Sequence, residues 1–327
     1  MAMERACPRR GPGRPAGYLL MRLFGVAMAR NEADVIEAFV RHNLSVLDGL
    51  VVIEHDSSDA TREILAKLQA EGLPVRIVDA PEPEFFQSRH MTRVTREVLA
   101  QERADFVFAL DADEFLKCRS RPELERALAE VPAGMHAVAT WWTYVPDSFD
   151  ETTFGQGHLR RRRDEANALY KTIVGRGFLD RDAEVLFPGN HLAGDPAAPD
   201  SPRHARLSRD VVAIAHCPVR SCRQLESKVI IGYLAHLATG ETRRDLAFHW
   251  RNLYDELRAG MTLDPERVRE IACNYGLRRS LWKRPEDFML SVDPVSLKFE
   301  PRYPVPPATG TLQLLMRFTE KLARRER

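Results

Sequence analysis

Short apolar runs alternate with stretches of helical periodicity through the first third of the chain. Leu23 to Met28 (LFGVAM) is uninterrupted, the pattern of a strand covered on both faces. Ala29-Arg30-Asn31-Glu32 breaks it. Val35, Ile36, Phe39, Val40 and Leu44 then recur at the spacing of one helix face. Leu50 to His55 is a second strand, followed by Asp56-Ser57-Ser58-Asp59 and a helix from Thr61 that Gly72 closes. Pro74 to Ala80 is a third strand. A helix from about Gln87 to Glu102 leads into the fourth, Asp105 to Leu110, which ends in Asp111-Ala112-Asp113-Glu114-Phe115. This rhythm predicts an α/β fold with a mainly parallel central sheet and helices on both faces. In such sheets ligands bind beyond the carboxyl ends of the strands. Asn31-Glu32, Glu54 to Asp59, and Asp111 to Glu114 are thereby expected at one edge, although Ser57, Ser58 and Asp59 also suit simple helix capping.

Farther on, a helix is expected from Pro122 to Glu130 and a strand over Ala137 to Val145. Asp147 to about Ala168 is polar and loop-like. Tyr170 to Leu179 reads as a strand, the proline-rich stretch 193 to 210 as a loop, and Val211 to Cys217 as a late strand. A helix over Cys222 to Thr239 opens an Arg-rich, helical final third. The expected division is a disordered tail (1–20), a ligand-binding α/β domain (21–240) and a helical extension packed on it (241–327).

Composition narrows the class. At 44% hydrophobic and 29% charged, the chain is an ordinary globular protein. Lys and Arg number 48 against 47 Asp and Glu, so there is no general electrostatic reason to expect nucleic acid as a partner. Cys7, Cys118, Cys217, Cys222 and Cys273 are odd in number and match no zinc spacing. Reduced thiols in the cytoplasm are the plain expectation. No apolar run approaches the roughly 18 residues of a membrane span.

Asp111-Ala112-Asp113 carries the most chemistry. Carboxylates at i and i+2 point the same way from an extended strand end. Such a pair suits Mn²⁺ or Mg²⁺, and a bridging cation neutralises a diphosphate leaving group. The plain alternative is a pair of acids in a surface loop.

The segment ADFVFALDADEFL resembles the D-x-D stretch of family-two-like glycosyltransferases, in the branch reading D-x-D-E-F. AMARNEADVIEAFVRHNL is similar to that branch's opening strand and helix, with Arg30 where Lys is usual. VVIEHDSSDATREIL resembles its nucleotide-binding turn, although Glu54 and His55 stand where an acidic pair is usual. YKTIVGRGFL with Gly189-Asn190-His191 resembles a later element. So does IAHCPVRSCRQLESK, with Cys217 replacing an aromatic. The resemblance covers roughly residues 22 to 235. It implies a GT-A type, Rossmann-like three-layer fold, a nucleotide-sugar donor (often UDP-linked) and a divalent metal.

Carried over residue by residue, the resemblance implies that Asn31, Glu32, Glu54 and Asp59 hold the nucleotide. Asp111 and Asp113 hold metal and diphosphate, and Lys171 faces phosphate. His191 or His216 completes the metal shell, each being equally readable as a loop or core histidine. Inverting transfer also needs a base for the acceptor hydroxyl. Asp147 and Glu151, after the strand ending at Val145, are the candidates. Trp141, Trp142 and Tyr144 offer faces for sugar stacking, although alternating aromatics on a strand are usually core. Arg160 to Arg163 reads as a solvated face or a phosphate grip.

The expected function is transfer of a sugar from a nucleotide-sugar donor onto a glycan, lipid-linked or other hydroxyl acceptor. The Ala- and Arg-rich composition suggests a bacterial source, where surface-polysaccharide assembly is a natural setting. A nucleotidyltransferase is the alternative, disfavoured because no glycine-rich loop follows the first strand. A non-catalytic nucleotide-binding protein of the same fold is the third. Leu314, Leu315, Phe318 and Leu322 form one stripe of the last helix. It is expected to pack on the protein; with Arg324, Arg325 and Arg327 it also suits peripheral contact with the inner membrane face.

Overall fold

The first strand, β1 (Leu23–Ala29), is buried along its whole length, as an unbroken apolar run requires. Its side chains alternate between two cores. Leu23 and Ala27 face one cluster, while Phe24, Val26 and Met28 face the other. On the first face α1 (Ile36–Asn43) follows, then β2 (Gly49–Glu54) and α2 (Thr61–Ala70). Ile36, Phe39 and Val40 of α1 join Ile64, Leu65 and Leu68 of α2 there. Each such side chain contributes roughly 1.5–3 kcal/mol by leaving water. After β3 (Val75–Asp79), α3 (Gln87–Gln101) covers the opposite face with Met91, Val94, Val98 and Leu99. The result is helix, sheet and helix in three layers.

The computed structural model describes residues 20–149, 159–162, 169–198, 203–240, 248–293, 295, 301–303 and 310–325. β4 (Phe106–Asp111) and β5 (Glu114–Cys118) precede α4 (Arg121–Ala129) and the long β6 (His136–Pro146). Then come β7 (Leu159–Arg162), β8 (Leu169–Gly175), β9 (Val185–Leu186), β10 (Ala193–Gly194), β11 (His204–Arg206) and β12 (Val212–His216). The chain closes with α5 (Cys222–Leu237), α6 (Phe248–Arg258), α7 (Pro265–Cys273), β13 (Leu290–Val292) and α8 (Thr311–Arg325).

The main sheet runs β13-β7-β6-β8-β4-β1-β2-β3, with β12 bridging β5 and β6 and β11 flanking β6. It is parallel across β4-β1-β2-β3. Beyond β4 it is mixed, because β8 enters antiparallel to both β4 and β6. Three local expectations are corrected. Leu159 to Arg162, expected in a loop, is a strand between β6 and β13. The strand expected over Tyr170 to Leu179 turns into a short 3₁₀ helix at Arg176. The proline-rich stretch holds β11, paired with β6.

The C-terminal helices are covered by their own clusters. Val268, Ile271 and Cys273 of α7 pack with Val145 of β6 and Val229 of α5. In α8, Leu314 and Phe318 are buried against Ile231 and Ala235 of α5, with Leu322 beside them. Three of the four residues of its apolar stripe therefore pack on the protein. No described helix is long and apolar enough to cross a membrane.

Candidate active site

A cavity of about 1070 Å³ opens at the carboxyl ends of β1, β2 and β4. Asn31, Glu32, Asp111, Asp113, His191 and His216 all line it, joined by Lys228 of α5. Glu54, Asp59, Lys171 and Asp147 are not among the lining residues. Glu151 and Arg163 lie outside the described residues.

The first two loops are braced against each other. Asn31 and Asp56 both adopt left-handed backbone (φ 56° and 55°), which Asn and Asp tolerate better than most residues. Asn31 accepts from the Ser58 amide at 2.7 Å and donates its own amide to Ser57 at 3.1 Å. Glu54 accepts from the Ser57 amide at 2.7 Å. Asp59 accepts from the Thr61 amide (2.9 Å) and the Thr61 hydroxyl (2.6 Å), and from the Ala33 amide across the gap (3.0 Å). Glu54 and Asp59, singled out as nucleotide ligands, thus bond to amides, the Thr61 hydroxyl and Arg62, and brace the loops that reach the cavity.

The acidic triplet differs from the expected pair of parallel carboxylates. Ala112 and Asp113 form a turn, so the strand geometry behind that expectation does not hold. Asp111 Oδ2 accepts from Lys171 at 2.5 Å, and Oδ1 accepts from Gln87 (3.1 Å) and Asn190 (3.2 Å). Glu114, the next acid, lies 3.0 Å from the same Lys171 ammonium. Lys171 is 1% exposed. Burial pulls its pKa down, yet Asp111 and Glu114 outweigh that and hold it above the ordinary lysine value. Burial raises Glu114 to about 8 against the pull of Lys171. The basic residue expected at phosphate is therefore an internal counter-ion beneath Asp111.

Asp113 turns to a separate group. Lys228 donates to its Oδ2, Arg220 Nη1 stands 3.7 Å from that oxygen, and His216 Nε2 is 3.5 Å from Oδ1. Burial would raise this carboxyl, but its cationic neighbours, Lys228 foremost, keep it below the ordinary aspartate range. Arg220 grips Asp34 through Nε (2.5 Å) and Nη2 (2.9 Å) and also donates to Glu32. Burial nevertheless lifts Glu32 to about 7.

The two histidines divide as well. His216 stacks on Trp141 at 4.2 Å, with Tyr275 at 5.4 Å on an edge-on approach. Burial drives its pKa well below the ordinary value, so the ring is neutral. His191 donates Nδ1–H to the Tyr170 carbonyl at 2.8 Å, which leaves Nε2 with its lone pair. Burial, with Lys171 next, lowers its pKa too.

The four expected metal ligands do not form one cluster: His216 lies 3.5 Å from Asp113, while Asp111 and His191 have other partners. Asp111 faces Lys171, Asp113 faces Lys228, and His191 is tied to a carbonyl. Among the described residues, no group of three or more His, Cys, Asp or Glu could hold a metal ion. This arrangement does not fit a divalent ion, because ammonium groups already occupy the carboxylates.

The three described arginines of the run are bonded within the protein. Arg160 donates to Asp147, Arg161 to Asp293 at 2.9 Å, and Arg162 to the Cys273 carbonyl at 2.8 Å. Arg161 and Arg162 fasten the edge of the sheet to the C-terminal region. Tyr144 is core, its hydroxyl bonded to Asp293 at 2.9 Å, and Trp142 lies under Arg161. Trp141 lines the cavity. Sequence reasoning missed Lys228, Gln87 and Asn190. Lys228 sits within the matched segment IAHCPVRSCRQLESK, but a lysine on a helix carries no signal without its contact.

No family model matches the chain, and no curated protein is similar to it. Similar solved structures include mannose-1-phosphate geranyltransferase from Thermus thermophilus (11% identity, 63% of this chain, 78% of that one, TM-score 0.32). Another is HddC from Yersinia pseudotuberculosis complexed with GMP-PN (10%, 59% and 92%, TM-score 0.34). A third is glucosyl-3-phosphoglycerate synthase from Mycobacterium tuberculosis in complex with Mn²⁺, UDP and glucosyl-3-phosphoglycerate. There the identity is 21% over 37% of this chain and 44% of that one, with a TM-score of 0.25. Likenesses of this degree leave the function to be argued from the site itself.

Proposed function

We propose that the chain transfers a sugar from a nucleoside-diphosphate sugar to an acceptor hydroxyl, with the donor bound in the cavity at the strand ends. One observation carries this reading. Asn31, Glu32, Asp111 and Asp113 come from two separate strand ends and meet in one large cavity, beside the ammonium of Lys228. Binding at this edge is the general behaviour of open α/β sheets. Its size suits a nucleotide sugar, since ligand cavities commonly span roughly 300–1,000 Å³. Charge that builds on a departing diphosphate is opposed by the fixed cation of Lys228.

The reaction favoured is a single inverting displacement, which asks for one base and no protein nucleophile. His191 suits that base better than Asp147, whose carboxylate is engaged by Arg160. Its Nδ1–H is committed to the Tyr170 carbonyl, so Nε2 is the acceptor, and its lowered pKa keeps the ring neutral at pH 7. The D-x-D-E-F kinship of the sequence is part of this reading. Nucleotidyl transfer fits the same cavity less well. Between β1 and α1 stands Arg30-Asn31-Glu32-Ala33-Asp34-Val35, with no glycine to bring backbone amides onto a triphosphate.

The test is a thermal-shift screen of UDP, GDP, ADP, CDP and dTDP and their sugars, followed by nucleotide release from the sugar that binds. A ligand at a hundredfold excess over Kd adds about 2.7 kcal/mol to the folded state. One base is expected to stabilise the protein, and its sugar conjugate to release the nucleoside diphosphate at a rate that His191→Ala lowers by about 10²-fold or more. Folded protein that no nucleotide stabilises would sink the proposal.

A further inference from the structure

Asp113 is the residue that the sequence assigns to a metal, and its surroundings oppose that assignment. Lys228 donates directly to Oδ2. Arg220, 7% exposed, places Nη1 3.7 Å from the same oxygen. On the other side, His216 Nε2 lies 3.5 Å from Oδ1. A divalent ion reaching Oδ2 would have to sit against two cations. Asp111 offers no better approach, since Lys171, Gln87 and Asn190 together take both of its oxygens. This is a positive feature of the side chains present. Cationic donors stand where a metal-binding site needs free carboxylate oxygens.

Lys228 is also well placed to act. It lines the cavity, and its side chain is 19% exposed. An ammonium carries three N–H donors. Asp113 takes one, while Glu32 Oε1 at 3.8 Å lies outside hydrogen-bond range. Two donors remain for a ligand. Asp113 and Glu32 flank the ammonium and hold it in place.

From this geometry we infer that Lys228 supplies the cation that meets the donor's diphosphate, and that nucleotide binding requires no divalent metal. Asp113 is then a positioning residue that aims Lys228, not a metal ligand. The inference rests on the nucleotide reading above and specifies how that site neutralises its ligand.

Calorimetric titration of the full chain with UDP, GDP, ADP, CDP and dTDP, in EDTA and separately in Mn²⁺, tests it. The nucleotide that binds is expected to show the same Kd, within about threefold, in both. Lys228→Met should weaken it by about 10- to 100-fold, the worth of a charge-assisted hydrogen bond. Lys228→Arg should retain most of the affinity. Circular dichroism and a melting curve establish that each variant is folded. If Lys228→Met is unfolded, Asp113→Asn/Lys228→Met, which removes both charges, takes its place. Binding that appears only with Mn²⁺ overturns the inference and leaves the donor reading standing. So does a folded variant without Lys228 that binds as tightly as wild type. Wild type that binds no nucleotide in either buffer overturns the donor reading, and the inference with it.

Discussion

His55 illustrates how single residues in this fold are tuned by their surroundings. It is fully buried at the end of β2, with Nε2 2.9 Å from the Glu84 carbonyl. Burial, with the Arg30 charge next, lowers its pKa to about 2. In the unfolded chain it takes a proton near the ordinary value of about 6.5. Between those values the unfolded state binds the extra proton, so stability falls as pH falls below about 6.5. The slope from this one group is at most about 1.4 kcal/mol per pH unit. His55→Gln should therefore lose less stability than wild type between about pH 6 and pH 4, by urea unfolding across that range. Parallel curves would mean that His55 titrates alike in both states. The acidic triplet teaches the same lesson. Asp111, Asp113 and Glu114 are neighbours in sequence, yet a turn of two residues sends Asp113 to Lys228 while Asp111 and Glu114 share Lys171.

At the scale of elements, close approach explains choices that periodicity leaves open. A Cβ added to Gly25 in the middle of β1 would lie 2.5 Å from Leu50 Cδ2 and 2.9 Å from Leu47 Cδ1. Both leucines are buried in the core that α1 and α2 close, so either must shift within packed surroundings. Gly25→Val is expected to cost about 1–3 kcal/mol by overpacking, despite the higher strand propensity of valine. Equilibrium denaturation measures this, and an unchanged midpoint would show that the layer between β1 and β2 yields. The elements legible in sequence include those with an unbroken apolar run or a clear helical stripe, from β1 to β4 and α1 to α3, and also α4, β6, β12 and α5. β7 was not legible, because three arginines in succession carry no strand pattern. Their side chains are satisfied by Asp147, Asp293 and the end of α7, all distant in sequence.

For the molecule as a whole, Asp293 marks where the C-terminal region is joined to the sheet. Just past β13, it takes Lys117 of β5, the Tyr144 hydroxyl of β6 and Arg161 of β7. Asp293→Ala leaves the buried Tyr144 hydroxyl without this acceptor, and should destabilise the protein by about 1–3 kcal/mol. Urea unfolding reads the loss; a change below about 0.5 kcal/mol would mean that these groups find water instead. A second attachment runs through α8, where Lys321 pairs with Asp56 and Arg317 donates to the Ser58 carbonyl. The last helix thereby rests on the turn that borders the cavity.

Hydrophobic patterning by itself determined the alternation of strands and helices, the parallel half of the sheet and the edge at which polar clusters meet. These follow from local periodicity and from the rules for connecting parallel strands. Only the tertiary structure decided what each polar side chain does at that edge. Whether Asp113 meets a metal or Lys228, whether Lys171 faces phosphate or Asp111, and whether Glu54 touches ligand or a backbone amide all depend on contacts made across the fold. Such contacts depend on side-chain direction and desolvation, which chain order does not encode residue by residue.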